Sequence, residues 1–204
     1  MHGFFLTQLF NRWVRNDLGS ISIQTFDVAL RRYVGLNAGL CIFEPTCGSA
    51  LAIEHNGDVF SCDHFVDWDH YLGNVMDKPL QDMVKAPQQH KFGQDKQDQL
   101  PQYCLDCDYK WLCEGGCPKN RFIKTPGGEP GLNYLCRGYY RIFDHMDPYL
   151  RFLAQHYQQG TPLDMVMDHI REHPEEFVKQ FPQRNELCFC GSGRKYKKCC
   201  QKKA

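Results

Sequence analysis

Cysteine is the residue that most constrains what this chain can fold into. The chain has 12 cysteines among 204 residues. No secretory leader is evident near the start, because polar Asn11 and Arg12 interrupt the apolar run that a leader needs. In a reducing compartment this many cysteines indicate metal binding rather than disulfides. The sequence therefore predicts a cytoplasmic metalloprotein.

The charge balance gives no sign of a polyanionic partner. Lys plus Arg equals Asp plus Glu at 24 each, so no net charge favours nucleic acid or an acidic membrane surface. No stretch approaches the roughly 20 apolar residues that cross a bilayer. We expect neither a membrane nor DNA as a partner.

Eight cysteines lie in the body of the chain, in two groups. Cys104 and Cys107 are separated by two residues, and Cys113 and Cys117 by Glu-Gly-Gly. Thiolates at such spacings can converge on one metal, and the glycines let the backbone approach it closely. Zinc and iron–sulfur clusters both take four thiolates, so spacing alone leaves the two equally open.

The N-terminal segment, residues 1–37, has the pattern of helix, strand and helix. Phe5, Leu9 and Trp13 recur at helical spacing, and Ser20–Phe26 alternates as a strand does. A lone strand has no partner for its backbone hydrogen bonds. We therefore expect this segment to be the remnant of an α/β barrel.

The following segments predict a hairpin and helices. Asn56-Gly57 is typical of a type I′ turn. A helix is expected from Pro79 to about Phe92, and then a polar loop over residues 93–103. Residues 137–159 predict a further helix, with Pro148 opening its second part. The fold class is α+β, with a small hairpin and Cys-rich loops surrounded by helices.

The cysteine order and its flanking text resemble a known family. The segments LCIFEPTCGSALAIEHNGDVFSCDHFV and YCLDCDYKWLCEGGCPKNRF are similar to the SPASM domain of anaerobic sulfatase-maturating enzymes, within a resemblance that covers roughly residues 1–145. The resemblance implies two auxiliary [4Fe–4S] clusters. Its first implied ligand set is Cys41, Cys47, Cys62 and Cys117. Its second implied ligand set is Cys104, Cys107, Cys113 and Cys136.

The same resemblance implies a role for Asp63, which directly follows Cys62. In such radical-SAM enzymes a 5′-deoxyadenosyl radical removes a Cβ hydrogen from a Cys or Ser of a sulfatase, and the product is Cα-formylglycine. Asp63 corresponds to the base that takes the thiol or hydroxyl proton. The sulfatase polypeptide would be the partner and substrate. Nearby His64 is expected to be structural.

One part of the family pattern is missing. Radical-SAM chemistry needs a Cys-x3-Cys-x2-Cys motif, but Cys113-x3-Cys117 is followed three residues later by Asn120. The cofactor-binding barrel is also missing. We therefore expect a C-terminal fragment, a truncated gene product or half of a split enzyme that is inactive alone. S-adenosylmethionine would bind only in a full-length parent.

The tail RNELCFCGSGRKYKKCC carries a second metal signature. Four thiolates suit one tetrahedral Zn²⁺, and so short a segment needs metal to fold. The tail resembles the SEC-C motif of the SecA translocation ATPase. Six basic residues and no acid lie between Arg194 and Lys203, which suits an acidic protein surface or the ribosome. The four expected zinc ligands are Cys188, Cys190, Cys199 and Cys200.

The sequence predicts that the chain has five segments, and it leaves three functions open. The leading hypothesis is the auxiliary-cluster part of a sulfatase maturase. One alternative is a non-enzymatic, metal-stabilised module that binds a protein, and another is a protein with several zinc sites and no iron. The segments are residues 1–37 (barrel remnant), 38–145 (SPASM domain), 146–173 (helical extension), 174–187 (linker) and 188–204 (SEC-C zinc motif).

Overall fold

Helices account for most of the regular structure. The computed structural model describes residues 2–177, 184–187 and 194–198. The helices are α1 (His2–Asn16), α2 (Gln24–Tyr33), α3 (Leu80–Val84), α4 (Pro87–Asp98), α5 (Gln102–Leu105), α6 (Lys110–Cys113), α7 (Cys136–Gln159) and α8 (Leu163–Glu172). The strands are β1 (Ala52–Ile53), β2 (Asp58–Phe60) and β3 (Tyr71–Asn74). The expected mixture of helices with a small antiparallel sheet is confirmed.

The chain divides into two units. One comprises residues 1–39 and 134–204, and the other comprises residues 40–133. None of the helices in the described ranges combines the length and the apolar character that crossing a membrane requires. All four tail cysteines lie outside the described residues. Two parts of the tail that are described meet in an isolated bridge between Leu187 and Lys195.

The first unit is a helical assembly around one aromatic core. Helix α7 packs against α1 and α2, and α8 packs against α1. Phe10 is fully buried. Its ring centroid lies 5.1 Å from that of Phe26 and 5.4 Å from that of Tyr149, both edge to face. Such pairs add to the free energy gained by burying apolar area. At the start of α1, Gly3 lets the backbone approach Gly138 of α7 closely.

Two expectations for the N-terminal segment are wrong. No strand forms over Ser20–Phe26, since α2 begins at Gln24 and buries Phe26. A helix can satisfy its backbone hydrogen bonds internally, whereas a lone strand cannot. Phe5 is 63% exposed, so it is not part of the core. The buried face of α1 contains Thr7, Phe10 and Val14. These residues also recur at helical spacing, but their helix face is offset from the predicted one.

The second unit contains a three-stranded antiparallel sheet in the order β1-β2-β3. The predicted hairpin is confirmed, with Ala52 opposite Phe60 and Ile53 opposite Val59. The predicted type I′ turn is wrong. That turn needs positive φ at two residues, but of Asn56-Gly57 only Gly57 has it, at 88°. Gly57 N–H donates to Glu54 O at 2.9 Å, as in a three-residue hairpin loop that ends in a glycine.

Proline positions explain the other differences. The helix expected from Pro79 to about Phe92 forms as two helices, because α3 ends at Val84 and Pro87 stands in the first turn of α4, where its missing N–H has no effect on the helix. Helix α4 then continues to Asp98, so most of the expected loop over residues 93–103 is helical. Pro148 lies inside α7, which runs without interruption from Cys136 to Gln159.

Helix α4 packs tightly against the segment that carries Cys47. Cys47 N–H donates to Gly93 O at 3.3 Å, and a Cβ on Gly93 would overlap the carbonyl oxygen of Cys47. Gln89, one turn earlier, donates from Nε2 to Gly48 O at 2.7 Å. The absence of a side chain at Gly93 therefore sets the distance between α4 and the Cys47 segment.

Replacing Phe10 tests the aromatic core. Phe10→Ala should lower the free energy of unfolding by about 3–5 kcal/mol, because it empties a fully buried site. Urea unfolding followed by far-ultraviolet circular dichroism measures this free energy. The matched control is Phe5→Ala on the same helix, which should change the free energy by less than about 0.5 kcal/mol. Equal losses for the two variants would contradict the described burial of α1.

Replacing Gly93 tests the packing of α4. Gly93→Ala should destabilise the chain by about 1–3 kcal/mol, because the overlap with Cys47 outweighs alanine's better helix propensity. Gly127→Ala is the control, since a Cβ there would meet only Thr125 Oγ1 at 3.8 Å. Thermal unfolding of the metal-free chain gives the comparison. A more stable Gly93→Ala variant would show that the two segments are not in contact.

Candidate metal centre

Eight cysteines of the body are free thiols. Cys117 is the most buried, at 7% exposure, and Cys41 is exposed. The other six are partly buried: Cys47, Cys62, Cys104, Cys107, Cys113 and Cys136. Partial burial keeps a thiol within reach of a metal while limiting access of water.

Four of these thiols are electrostatic neighbours. Burial raises the pKa of Cys47, and the nearby thiols of Cys41 and Cys117 raise it further. Burial is also the main reason that the pKa of Cys62 rises to about 11, with Asp63 and Cys117 adding to it. The pKa of Cys117 is raised by burial and by Cys41. The structure thus brings together the four cysteines of the first predicted set.

A left-handed turn positions Cys117. Helix α6 ends at Cys113, and the next three residues have positive φ: 46° at Glu114, 70° at Gly115 and 63° at Gly116. Glycine adopts this region without steric cost. A side chain at Gly115 would collide with Leu100 and Arg121. The Gly-Gly pair is therefore required by the backbone path between Cys113 and Cys117.

The second predicted set is only partly brought together. Cys104 lies in α5, and Cys107 N–H donates to its carbonyl oxygen at 3.2 Å, which closes a turn. Burial raises the pKa of both thiols. Cys113 ends α6 in the same unit. Cys136 is the first residue of α7 and belongs to the other unit.

Asp63 lies beside the first group of thiols and faces solvent. Its side chain is 80% exposed. The Cys62 thiol donates to Asp63 Oδ1 at 3.1 Å. This hydrogen bond is the main cause that holds the pKa of Asp63 below its usual range, and nearby His64 adds to it. Asp63 is therefore a carboxylate at neutral pH, and it can accept a proton.

His64 contacts both the thiols and the carboxylate. Its Nδ1 lies 3.2 Å from Cys117 Sγ, and its Nε2 lies 3.9 Å from Asp63 Oδ2. Ligand-type atoms of Cys62, Asp63 and His64 all fall within 4.8 Å of one another. The histidine that the sequence indicated as structural thus faces the candidate centre.

The sequence analysis missed two cations next to the thiols, the buried Lys96 and the partly buried Arg121. Lys96 is 1% exposed, and burial lowers its pKa to about 8. Burial also lowers the pKa of Arg121, while Cys104 and Cys113 raise it. The buried positions of α4 include Gln89, Gly93 and Lys96, which follow helical spacing. None of these three is apolar, so the hydrophobic pattern could not reveal this face.

The donor set suits a thiolate-bound metal group. Thiolates are ligands of both zinc ions and iron–sulfur clusters. Among the described residues, however, no three of these thiols have their sulfur atoms within 4.8 Å of one another. Neighbouring thiolates repel one another, and buried Lys96 and partly buried Arg121 offset part of that charge. The donor chemistry of the first set therefore suits a thiolate-bound cluster, but its sulfur atoms are not gathered as closely as a single zinc ion requires.

Two family profiles match the sequence. Residues 41–108 match SPASM, an iron–sulfur cluster-binding domain. Residues 184–202 match the SEC-C motif. The SPASM match contains Asp63 and five of the eight body cysteines, namely Cys41, Cys47, Cys62, Cys104 and Cys107. The other three, Cys113, Cys117 and Cys136, follow it.

Several relatives are anaerobic sulfatase-maturating enzymes. The serine-type enzyme of Bacteroides thetaiotaomicron is 47% identical over 153 residues, which are 75% of this chain and 37% of the relative. The serine-type enzyme of Klebsiella pneumoniae is 34% identical, over 69% of this chain and 34% of the relative. The cysteine-type enzyme of Clostridium perfringens is 29% identical, over 72% of this chain and 40% of the relative.

A solved structure has a similar fold. Native anSMEcpe with bound AdoMet and Cp18Cys peptide superposes with a TM-score of 0.66 at 29% identity, covering 76% of this chain and 43% of that one. The chain thus spans less than half the length of the relatives it matches. It carries a SPASM domain followed by a SEC-C motif, and the relatives named above are anaerobic sulfatase-maturating enzymes.

Proposed function

We propose that this chain is the auxiliary-cluster part of a sulfatase maturase, which oxidises a Cys or Ser of a sulfatase to Cα-formylglycine. The observation that carries the proposal is the group of four neighbouring thiols with an exposed carboxylate beside it. Cys62 supplies one of these thiols and donates a hydrogen bond to Asp63. The similarity to maturases of both the serine and the cysteine type supports this activity.

The proposed ligand sets are those that the sequence predicts. The first set lies within one unit, and the electrostatic contacts among its thiols support it. The second set draws Cys136 from α7. When bound, the two [4Fe–4S] groups supply electron acceptors. The tail cysteines would hold one Zn²⁺. The first set is Cys41, Cys47, Cys62 and Cys117. The second set is Cys104, Cys107, Cys113 and Cys136.

Asp63 is the proposed proton acceptor. Its exposed carboxylate can meet a substrate side chain, and its lowered pKa keeps it ionised at neutral pH. It would take the proton from the thiol or hydroxyl of the target residue. His64 lies between this carboxylate and Cys117, where it can orient either group. The S-adenosylmethionine-binding part would belong to a full-length parent.

The proposed partners are the sulfatase polypeptide and, through the tail, a protein or the ribosome. The described tail residues include Lys195, Lys197 and Lys198, which give it a basic surface.

The SPASM match falls inside the proposed domain of residues 38–145. A non-enzymatic metal-stabilised module is the alternative, and the two experiments below separate it from the maturase.

Metal and sulfide content tests the proposed centres. The chain should be expressed and purified without oxygen, and then analysed for iron, sulfide and zinc. We expect about eight iron, about eight sulfide and about one zinc per chain. Cys117→Ser should lose about half of the iron, whereas Cys200→Ser should lose only the zinc. Zinc without sulfide in the parent chain would contradict the iron–sulfur centres.

Replacing Asp63 tests the proposed base. The chain would be joined to the S-adenosylmethionine-binding part of the Bacteroides relative, and oxidation of a sulfatase peptide would be followed by mass spectrometry. Asp63→Asn should lower the rate by about 10²–10⁴-fold, the usual contribution of a general base. Asp69→Asn, an exposed acid on the same segment, should leave it unchanged. Full activity of Asp63→Asn would exclude this role.

A further inference from the structure

We propose that Lys96 and Arg121 are built-in counter-charges of the thiolate-bound centre, which hold its loops and raise its reduction potential. The inference rests on the proposed iron–sulfur function. It concerns two residues that are not metal ligands and do not meet the substrate. Their positions are fixed by hydrogen bonds to backbone carbonyl groups of the segments that carry the cysteines.

Lys96 holds the segment that follows Cys41. Its ammonium group donates to Ile42 O at 3.4 Å and to Glu44 O. The side chain reaches these carbonyls from α4 while remaining 1% exposed. Among the thiols, Cys47 has the larger effect on the pKa of Lys96, and Cys113 has a smaller one. The positive charge of Lys96 therefore belongs mainly to the first set of thiols.

Arg121 holds the turn between Cys113 and Cys117. Its guanidinium donates to Glu114 O at 3.0 Å, Gly115 O at 3.1 Å and Gly116 O at 3.1 Å. A fourth bond, to Lys96 O at 2.6 Å, joins the turn to α4. A planar guanidinium with several donors suits such a cage of carbonyls.

The electrostatic neighbours of Arg121 come from both sets of thiols. They are Cys104, Cys113, Cys117 and Cys47, in order of decreasing influence. Lys96 and Arg121 also repel each other. Arg121 is therefore placed to affect both proposed centres, whereas Lys96 acts mainly on one.

The two cations have no carboxylate partner within the described ranges of the chain. Neither forms an ion pair there, and the nearby carboxylate of Glu114 lies 3.0 Å from Lys110 Nζ instead. Burying a charge without an opposite charge costs free energy. Deprotonated thiolates supply that opposite charge once metal binds, because metal ligands must lose their protons.

The sign of the effect on redox chemistry follows from charge. Four thiolates make a bound [4Fe–4S] group an anion, and reduction makes it more negative. A fixed positive charge nearby stabilises the reduced state more than the oxidised state, so it raises the reduction potential. Removing that charge should therefore make the centre harder to reduce.

A redox titration of the anaerobically loaded full chain tests the proposal. Lys96→Met keeps a side chain of similar length and removes the charge. At a given potential, it should lower the reduced-to-oxidised ratio of one centre at least tenfold. For a one-electron couple, this corresponds to a shift of about 59 mV in the midpoint potential. Lys96→Arg retains the charge and should shift the ratio much less. The matched control is Lys91→Met on the same helix, whose exposed side chain pairs with Asp95 at 2.7 Å. An unchanged midpoint in Lys96→Met would overturn the proposal.

Unfolding temperatures provide a second readout. Lys96→Met should lower the unfolding temperature more in the loaded chain than in the metal-free chain, because the loaded chain adds the negative charge of the thiolates to that of Glu114. An equal fall in the unfolding temperature of both forms would show that Lys96 only holds the backbone through its hydrogen bonds. That result would overturn the counter-charge role. If the parent chain takes up no iron and sulfide, the proposed function fails first, and the two failures are thereby distinguished.

Discussion

The proximity of several thiols to two cations, buried Lys96 and partly buried Arg121, is the interaction on which the second unit depends. Cys117 raises the pKa of Cys47, and Lys96 and Arg121 lie close enough to lower the pKa of both thiols. Thiolates packed together repel one another, and buried cations do the same. Each kind of charge therefore relieves the cost of burying the other, provided that the thiols are deprotonated. With the proposed clusters bound, the folding of these loops would be coupled to metal binding through that charge balance.

The two units are stabilised in different ways. The first has interlocking aromatic rings, with Phe10 in edge-to-face contact with Phe26 and Tyr149. The second has strands of only two to four residues and several short helices. Its loops are held by hydrogen bonds to backbone carbonyls from buried Gln89 and Lys96 and from partly buried Arg121. Such carbonyl-bound side chains define loop positions that a small apolar core could not.

The sequence predicted the features that depend on local chemistry. The cysteine spacing, the hairpin at Asn56-Gly57 and the helix after Cys136 all follow from residue types that act over short range. The strand over Ser20–Phe26 was wrong because alternation does not supply a partner strand. Helix α4 was missed in part because its buried face is polar, with Gln89, Gly93 and Lys96. Polar side chains on such a face are buried because they donate hydrogen bonds to backbone carbonyls that are distant in the sequence. A hydrophobic pattern contains no information on those partners.

The direct succession of Cys62 and Asp63 also limits where chemistry can occur. The carboxylate oxygen lies 3.1 Å from the sulfur of its neighbour, and the two residues share a peptide bond. A group that binds to Asp63 is thus within a few bond lengths of the thiol. If Cys62 holds a metal as proposed, the distance between that metal and a group bound at Asp63 would be limited by the covalent link between the two residues.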